Sequence, residues 1–161
     1  MLQRIDHVGI ACRSLEAAIE KYTSVFGLVV VSREVNEEQG VREAMLSLGG
    51  VLRETPRQPP AKSAGELAVS AAPSASYVQL LEPLADDTPV GKFLARRGEG
   101  LHHVGYAVAN VTEALAVLGG AGSVRLIDER PRHGSMGASI AFLHPADLGG
   151  VLTELVQPHD A

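Results

Sequence analysis

Two hydrophobic periods run through this chain. Residues 5–12, Ile-Asp-His-Val-Gly-Ile-Ala-Cys, read as a strand, and residues 102–108, His-His-Val-Gly-Tyr-Ala-Val, repeat the pattern. Side chains alternate faces along a strand. Each stretch therefore places one His, one Gly and one Ala on a single face: His7, Gly9 and Ala11, then His103, Gly105 and Ala107. Flanked by the two smallest residues, each His is expected to face open space, with Gly9 and Ala11 leaving room for a substrate. After the first strand, Leu15, Ala18, Ile19, Tyr22, Val25 and Phe26 recur at three- and four-residue spacing, which predicts a helix. Ser14 is placed to cap it and Gly27 to stop it. Residues 28–35 are apolar and β-branched, a second strand, and residues 36–40 form a turn ending on Gly40. Residues 41–48 alternate, with Glu43, Met45 and Ser47 on one face, and residues 77–82 return to strand composition before Pro83. Thr88 and Pro89 open a second helix, which Gly98 and Gly100 end. Asn110 caps a third helix that runs to Gly119 and Gly120. Residues 124–128, 138–143 and 151–156 read as strands, with a loop at 129–137.

The order strand, helix, strand, turn, strand, loop, strand thus occurs twice, the mark of modules that bury a face against each other. The offset is 96 residues from His7/His103 through Glu43/Ser139, and 75 residues between Gln79 and Glu154 in the last strands. The first half therefore carries 21 extra residues between positions 49 and 77. That segment, 50–76, is rich in Pro and Ala and reads as a surface loop with one weak strand at 66–69. The predicted organisation is a single domain, 1–161, of two modules, 1–84 and 100–161, joined by a helix near 88–98.

Composition narrows the partners. Apolar residues make up 45% of the 161 and charged residues 20%, as in ordinary globular chains. A net charge of −5 argues against a nucleic-acid surface, so a phosphate-bearing ligand needs a local basic patch. No apolar run approaches the length of a membrane span and the first residues lack an apolar signal region, so a cytoplasmic location is expected. Cys12 is the only cysteine, which excludes an internal disulfide, and its place in a strand reads as core.

Chemistry enters through polar residues set in apolar strands. His7, Gln79, His103 and Glu154 occupy repeat-equivalent positions. Burying such groups unsatisfied costs about 2–7 kcal/mol each. A lone His in such a place reads as a hydrogen-bonded core residue; two at matching positions point to a shared metal. Two imidazoles, an amide oxygen and a carboxylate suit a divalent ion such as Co²⁺, Mn²⁺, Ni²⁺, Zn²⁺ or Mg²⁺. Gln79 fills a position that oxygen-activating iron sites keep open, so a redox-inert role is expected. His102 falls on the face opposite His103 and is assigned to packing or a supporting hydrogen bond. His133, His144 and His159 lie in loops or the tail, outside the ligand set. Glu43 by itself reads as a solvated strand charge.

Several segments carry a resemblance. They are residues 6–11 (Asp-His-Val-Gly-Ile-Ala), 38–43 (Glu-Gln-Gly-Val-Arg-Glu), 79–84 (Gln-Leu-Leu-Glu-Pro-Leu), 100–104 (Gly-Leu-His-His-Val), 142–145 (Phe-Leu-His-Pro) and 149–155 (Gly-Gly-Val-Leu-Thr-Glu-Leu). Together they resemble the methylmalonyl-CoA epimerase family of the vicinal-oxygen-chelate (glyoxalase/bleomycin-resistance) superfamily, over almost the whole chain except 50–76. The resemblance implies an α+β fold of two tandem βαβββ modules, whose curled, cup-like mixed sheet surrounds one metal, Co²⁺ first among the candidates. It maps the metal ligands onto His7, Gln79, His103 and Glu154. It maps the acid and base onto Glu43 and Glu154, which raises Glu43 above an ordinary strand charge. It implies substrate contacts from Gln39, Ser135 and Gly137, an acyl-CoA substrate, a homodimer and a place in propionate metabolism. The implied reaction is proton abstraction and return at C2 of methylmalonyl-CoA, with the metal as Lewis acid. A glyoxalase-type lyase or isomerase, a related acyl-CoA epimerase and a non-enzymatic small-molecule binder are the competing readings. The metal-ligand set weighs against the binder, and Glu43 against the glyoxalase.

Overall fold

The computed structural model describes residues 1–48 and 76–159. The expected strand at 66–69 and nearly all of the 50–76 segment lie outside the described residues. The elements in order are β1 (Leu2–Ala11), α1 (Leu15–Phe26), β2 (Val29–Asn36), β3 (Val41–Ser47), β4 (Tyr77–Pro83), α2 (Pro89–Arg97), β5 (Gly100–Val108), α3 (Val111–Ala121), β6 (Arg132–His133), β7 (Ser139–Leu143) and β8 (Thr153–Gln157). The N-caps are those expected, whereas α3 runs on through Gly119 and Gly120 to Ala121 and is closed by Gly122 instead. Ser14, Thr88 and Asn110 each accept a backbone N–H three residues on, and Gly27 closes α1 at φ 67°, where a Cβ would be strained.

The strands form one mixed sheet in the order β2-β3-β4-β1-β5-β8-β7-β6. β1 and β5 pair antiparallel at its centre, and each has the last strand of its own half parallel beside it, β4 and β8 respectively. The order is therefore symmetric about the β1/β5 pair, as the sequence repeat requires. One face of the sheet is covered by the helices α1 and α3. Leu15 and Ile19 pack on Ala44, Leu46 and Leu80, while Val111, Ala114 and Leu115 pack on Val108, Ala141 and Leu155. The opposite face carries His7, Glu43, Gln79, His103 and Glu154, all at most 4% exposed. At one end of that face α2 sets Val90 and Leu94 on Ala11, Val41 and Leu81.

Three expectations are corrected. Residues 124–128 do not form a strand; Leu126 makes a single bridge to Leu143. The Asp128 carboxylate instead accepts the Phe142 N–H at 2.9 Å, taking the place of a ladder carbonyl, and Pro131 has no N–H to offer. The edge strand forms only beyond it, at Arg132–His133. The last strand starts at Thr153 rather than 151, because Gly149 and Gly150 both take left-handed φ and turn the chain there. The repeat register in the third strands is also one residue off. Glu43 faces Leu81 while Ile140 faces Val156, each two residues past Gln79 or Glu154, so Ile140 and not Ser139 is the counterpart of Glu43.

Candidate active site

The antiparallel pairing of β1 and β5 sets His7 opposite Gly105 and Gly9 opposite His103. The two rings meet edge to face, with centroids 5.1 Å apart and Nε2 atoms 3.0 Å apart. A Cβ on Gly105 would lie 2.5 Å from the His7 ring, and a Cβ on Gly9 would overlap His103. The space in front of each His is therefore filled by the other His. Ala11 is buried beneath α2. The expectation that Gly9 and Ala11 leave room for a substrate is wrong: the glycines make room for imidazole.

The parallel neighbours complete the cluster. β4 places Gln79 beside Gly9, and β8 places Glu154 beside Gly105. Glu154 Oε2 lies 2.8 Å from His7 Nε2 and 3.3 Å from His103 Nε2. Gln79 donates its amide to Glu43 Oε2 at 2.7 Å and to Ser135 Oγ at 2.8 Å. Among the described residues its Oε1 is then buried without a partner, and Glu154 Oε2, for all its closeness to the imidazoles, has no well-aligned hydrogen bond. Buried polar atoms are rarely left so. Nitrogens of His7 and His103 and an oxygen of Glu154 lie within 4.8 Å of one another. This donor set fits a divalent cation: two neutral imidazole nitrogens, one carboxylate oxygen and one amide oxygen.

Each histidine is held from behind by the residue before it. Asp6 is skipped in the pairing between Ile5/Tyr106 and His7/Gly105, and His102 is skipped between Gly9/His103 and Ile10/Leu101. Both are bulged residues, which re-aim a side chain. Asp6 Oδ2 sits 3.2 Å from His7 Nδ1, and Arg4 donates to the other Asp6 oxygen at 2.6 Å. His102 Nδ1 sits 3.0 Å from His103 Nδ1, and its ring packs on Phe93. With each Nδ1 engaged, each Nε2 is the free ligand atom. His102 thus has the supporting hydrogen bond expected of it.

The two buried carboxylates are pushed in opposite directions. Burial raises Glu154, yet both imidazoles stabilise its anion and hold it at about 2. Burial also raises Glu43, and there the hydrogen bonds from Ser135 and Gln79 only partly offset it, so its pKa lies above the ordinary carboxylate value. Burial lowers His7, but Asp6 and Glu154 outweigh that and bring it to about 9. Burial keeps His103 below its ordinary value and brings His102 to about 4. Paired groups whose environments separate their pKa values are a pattern of acid–base sites.

The remaining candidates fall at different distances from this cluster. Ser135 belongs to it, donating to Glu43 Oε1 at 2.7 Å. Its turn is held in place by Met136 N–H, which donates to Glu34 at 3.0 Å, with Met136 itself at φ 55°. Gly137 follows at φ 73° beside His159. Gln39 stands apart: its amide reaches the His133 carbonyl at 3.4 Å, and it lines a separate cavity of about 180 Å³ with Arg132 and Phe142. His144 caps the turn at Pro145–Asp147. A cavity of about 160 Å³ opens on His7 and Glu154 and is lined also by Arg4, Tyr77, Met136 and His159. Asp6, Arg4, Tyr77 and His159 escape a reading based on strict alternation. The available signal was that a polar residue precedes the ligand histidine in both repeats.

The chain matches the Glyoxalase/Bleomycin resistance protein/Dioxygenase superfamily over residues 6–142 and belongs to that family. It is 36% identical to the uncharacterized protein YqjC of Bacillus subtilis over 157 residues, covering 98% of this chain and 94% of that one. It is 30% identical over 158 residues to the ethylmalonyl-CoA/methylmalonyl-CoA epimerase of Cereibacter sphaeroides, covering 98% and 99%. Its fold is similar to a solved methylmalonyl-CoA epimerase in complex with methylmalonyl-CoA and NH4+, with a TM-score of 0.82, 45% identity and coverage of 99% and 96%.

Proposed function

We propose that this protein is a metal-dependent epimerase that interconverts (R)- and (S)-methylmalonyl-CoA by removing and returning the proton at C2. The observation that carries the reading is the pair of buried carboxylates, Glu43 raised and Glu154 lowered, set around an amide and imidazole cradle with unsatisfied oxygens. Similarity to epimerases solved with and named for this substrate supports it.

In this reading His7, Gln79, His103 and Glu154 hold one divalent ion, Co²⁺ first. A bound ion supplies a Lewis acid for the negative charge that deprotonation places on the thioester oxygen. The C2 hydrogen lies between a thioester carbonyl and a carboxylate, so it is already acidified by the substrate. Glu43 works on one face of C2 and Glu154 on the other, one as base and one as acid, exchanging roles with direction. A carboxyl with a raised pKa is suited to this work because it takes and returns a proton nearer neutrality. Gln79 and Ser135 aim the Glu43 oxygens through their hydrogen bonds to it. Ser135, Gly137 and, farther out, Gln39 contact the substrate. The chain acts as one domain of two modules, 1–84 and 100–161, and as a cytoplasmic homodimer, whose mass in sedimentation equilibrium checks the assembly.

The test is hydrogen exchange. Metal-loaded protein with methylmalonyl-CoA in deuterated water should place deuterium at C2 and racemise a single epimer. Absence of both label and racemisation overturns the reading.

A further inference from the structure

The two outermost strands of the sheet, β2 and β6, are tied to each other across the face that carries the site. Arg132 on β6 pairs with Glu38 in the turn after β2 at 2.9 Å. The side-chain amides of Asn36 and Gln39 reach the His133 carbonyl at 3.4 Å. These ties are exposed or long, and such contacts are worth little one by one. One tie differs. The Met136 N–H donates to the half-buried Glu34 carboxylate at 3.0 Å, a charge-assisted bond of the stronger kind. The same Glu34 oxygen is held by the Ser32 hydroxyl at 2.6 Å.

A bulge aims these residues. The β2/β3 register shifts between Val30 and Ser32. Val30 packs with the cluster under α1, whereas Ser32 faces Met45 and Glu34 faces Glu43, on the opposite side of the sheet. Without the extra residue, alternation would send Ser32 and Glu34 to the helix side with Val30. The register thus sets two carboxylates opposite each other, an arrangement that costs stability when the charges are alike. Both take hydrogen bonds from one turn, and from consecutive residues of it. Glu43 accepts from the Ser135 hydroxyl at 2.7 Å and Glu34 from the Met136 N–H. Met136 holds φ 55°, the one positive φ of a non-glycine residue among the described residues. A side chain is strained there, so the conformation persists only where the surroundings hold it. Glu34 supplies that hold.

We propose that Glu34 is a positioning residue of the active site, fixing the Ser135–Gly137 turn so that the Ser135 hydroxyl meets Glu43. Glu34 acts only through that turn. The role rests on the assignment of Glu43 to proton transfer in the reading above. It also gives a reason for an acid opposite Glu43, where a neutral residue would avoid the repulsion: the strained turn is held by a charged acceptor.

The test compares Glu34→Ala with Glu34→Gln. A glutamine oxygen accepts the same N–H without the charge, whereas alanine offers no acceptor. In Glu34→Ala the Met136 amide, followed by NMR, should exchange with solvent roughly 10- to 100-fold faster, the scale of one hydrogen bond to a charged group. Its metal content and far-ultraviolet dichroism should match the parent. Its kcat for methylmalonyl-CoA should fall by about tenfold or more, as misplaced catalytic groups do. Glu34→Gln should keep the amide protected and most of kcat. In a Ser135→Ala protein, adding Glu34→Ala should lower kcat no further, because the turn then has no hydroxyl to deliver. An unchanged Met136 exchange rate in Glu34→Ala overturns the role, and so does a kcat equal to the parent's. A Glu34→Gln protein as impaired as Glu34→Ala, or full additivity with Ser135→Ala, overturns it too. Amide exchange is read without substrate, so it decides whether Glu34 holds the turn even if the parent moves no proton at C2. That last result fails the epimerase reading alone.

Discussion

Asp6 Oδ2 lies 3.2 Å from His7 Nδ1 because β1 bulges at that residue, turning a side chain that strict alternation would send to the other face. The carboxylate fixes which nitrogen of His7 is free, and Arg4 fixes the carboxylate. Partners of this kind behind a ligand typically change metal affinity by about 10- to 100-fold when removed. Asp6→Asn should weaken the binding of a divalent ion by that amount while leaving the far-ultraviolet dichroism unchanged. Competition against a chelator measures it, and an unchanged dissociation constant rules out the role given to Asp6.

Gly9 and Gly105 are the spaces into which the opposing imidazoles fit. A methyl group at either place must push a ligand ring aside, in a site closed on both sides by strands. Gly9→Ala and Gly105→Ala should each abolish stoichiometric metal binding and cost about 1–3 kcal/mol of stability, the usual scale of overpacking. Gly120→Ala is the control. It lies on an exposed turn of α3 with nothing within reach of a Cβ, and it should raise stability by about 0.5–1 kcal/mol. Metal content by mass spectrometry and thermal melts separate the two classes. A Gly105→Ala protein that keeps its metal contradicts the packing described.

Much of this site was legible from the chain because duplication writes it twice. The His7/His103 and Gln79/Glu154 positions stand out as polar residues at matching places, and the sheet brings all four to one face. The helices were legible through their caps, since Ser14, Thr88 and Asn110 act locally. Failures came where tertiary pairing overrides local pattern. A bulge cannot be read from alternation, so the role of Asp6 and the orientation of His102 were hidden. Residues 124–128 have strand composition, but the Asp128 side chain takes the ladder bond instead. The glycines look like empty space until the opposite strand supplies an imidazole to fill it.

Glu43 is about 1% exposed and holds its charge at a cost. Its folded pKa lies above its ordinary value of 4.5. A carboxyl shifted this way lowers stability once the pH exceeds its folded pKa, and that penalty is absent below the unfolded value. Glu43→Gln removes the penalty and keeps the shape, because the Ser135 hydroxyl can rotate to accept from the new amide. The variant should melt higher than the parent at about pH 8 and no higher at about pH 4. In deuterated water it should lose proton exchange from one face of C2 by a factor of about 10² or more while retaining its metal, the scale of a general base. Loss of metal instead would mean that Glu43 belongs to the ligand set.

Among the described residues, Ser135 is the one hydrogen-bond partner of Glu43 that comes from the second half of the chain. Its hydroxyl donates to the Glu43 carboxylate, which favours the ionised form and offsets part of the shift caused by burial. Removing it leaves burial and the charges of Glu34 and Glu154 opposed only by Gln79, so the Glu43 pKa must rise further. A base works only when deprotonated, so the rate falls as pH drops through that pKa. Ser135→Ala should therefore move the acid limb of the kcat profile upward from its position in the parent, with the plateau at high pH reduced less than the rate at neutral pH. The pH dependence of deuterium exchange reads both. An acid limb that stays in place, or moves down, would show that Ser135 does not act through Glu43.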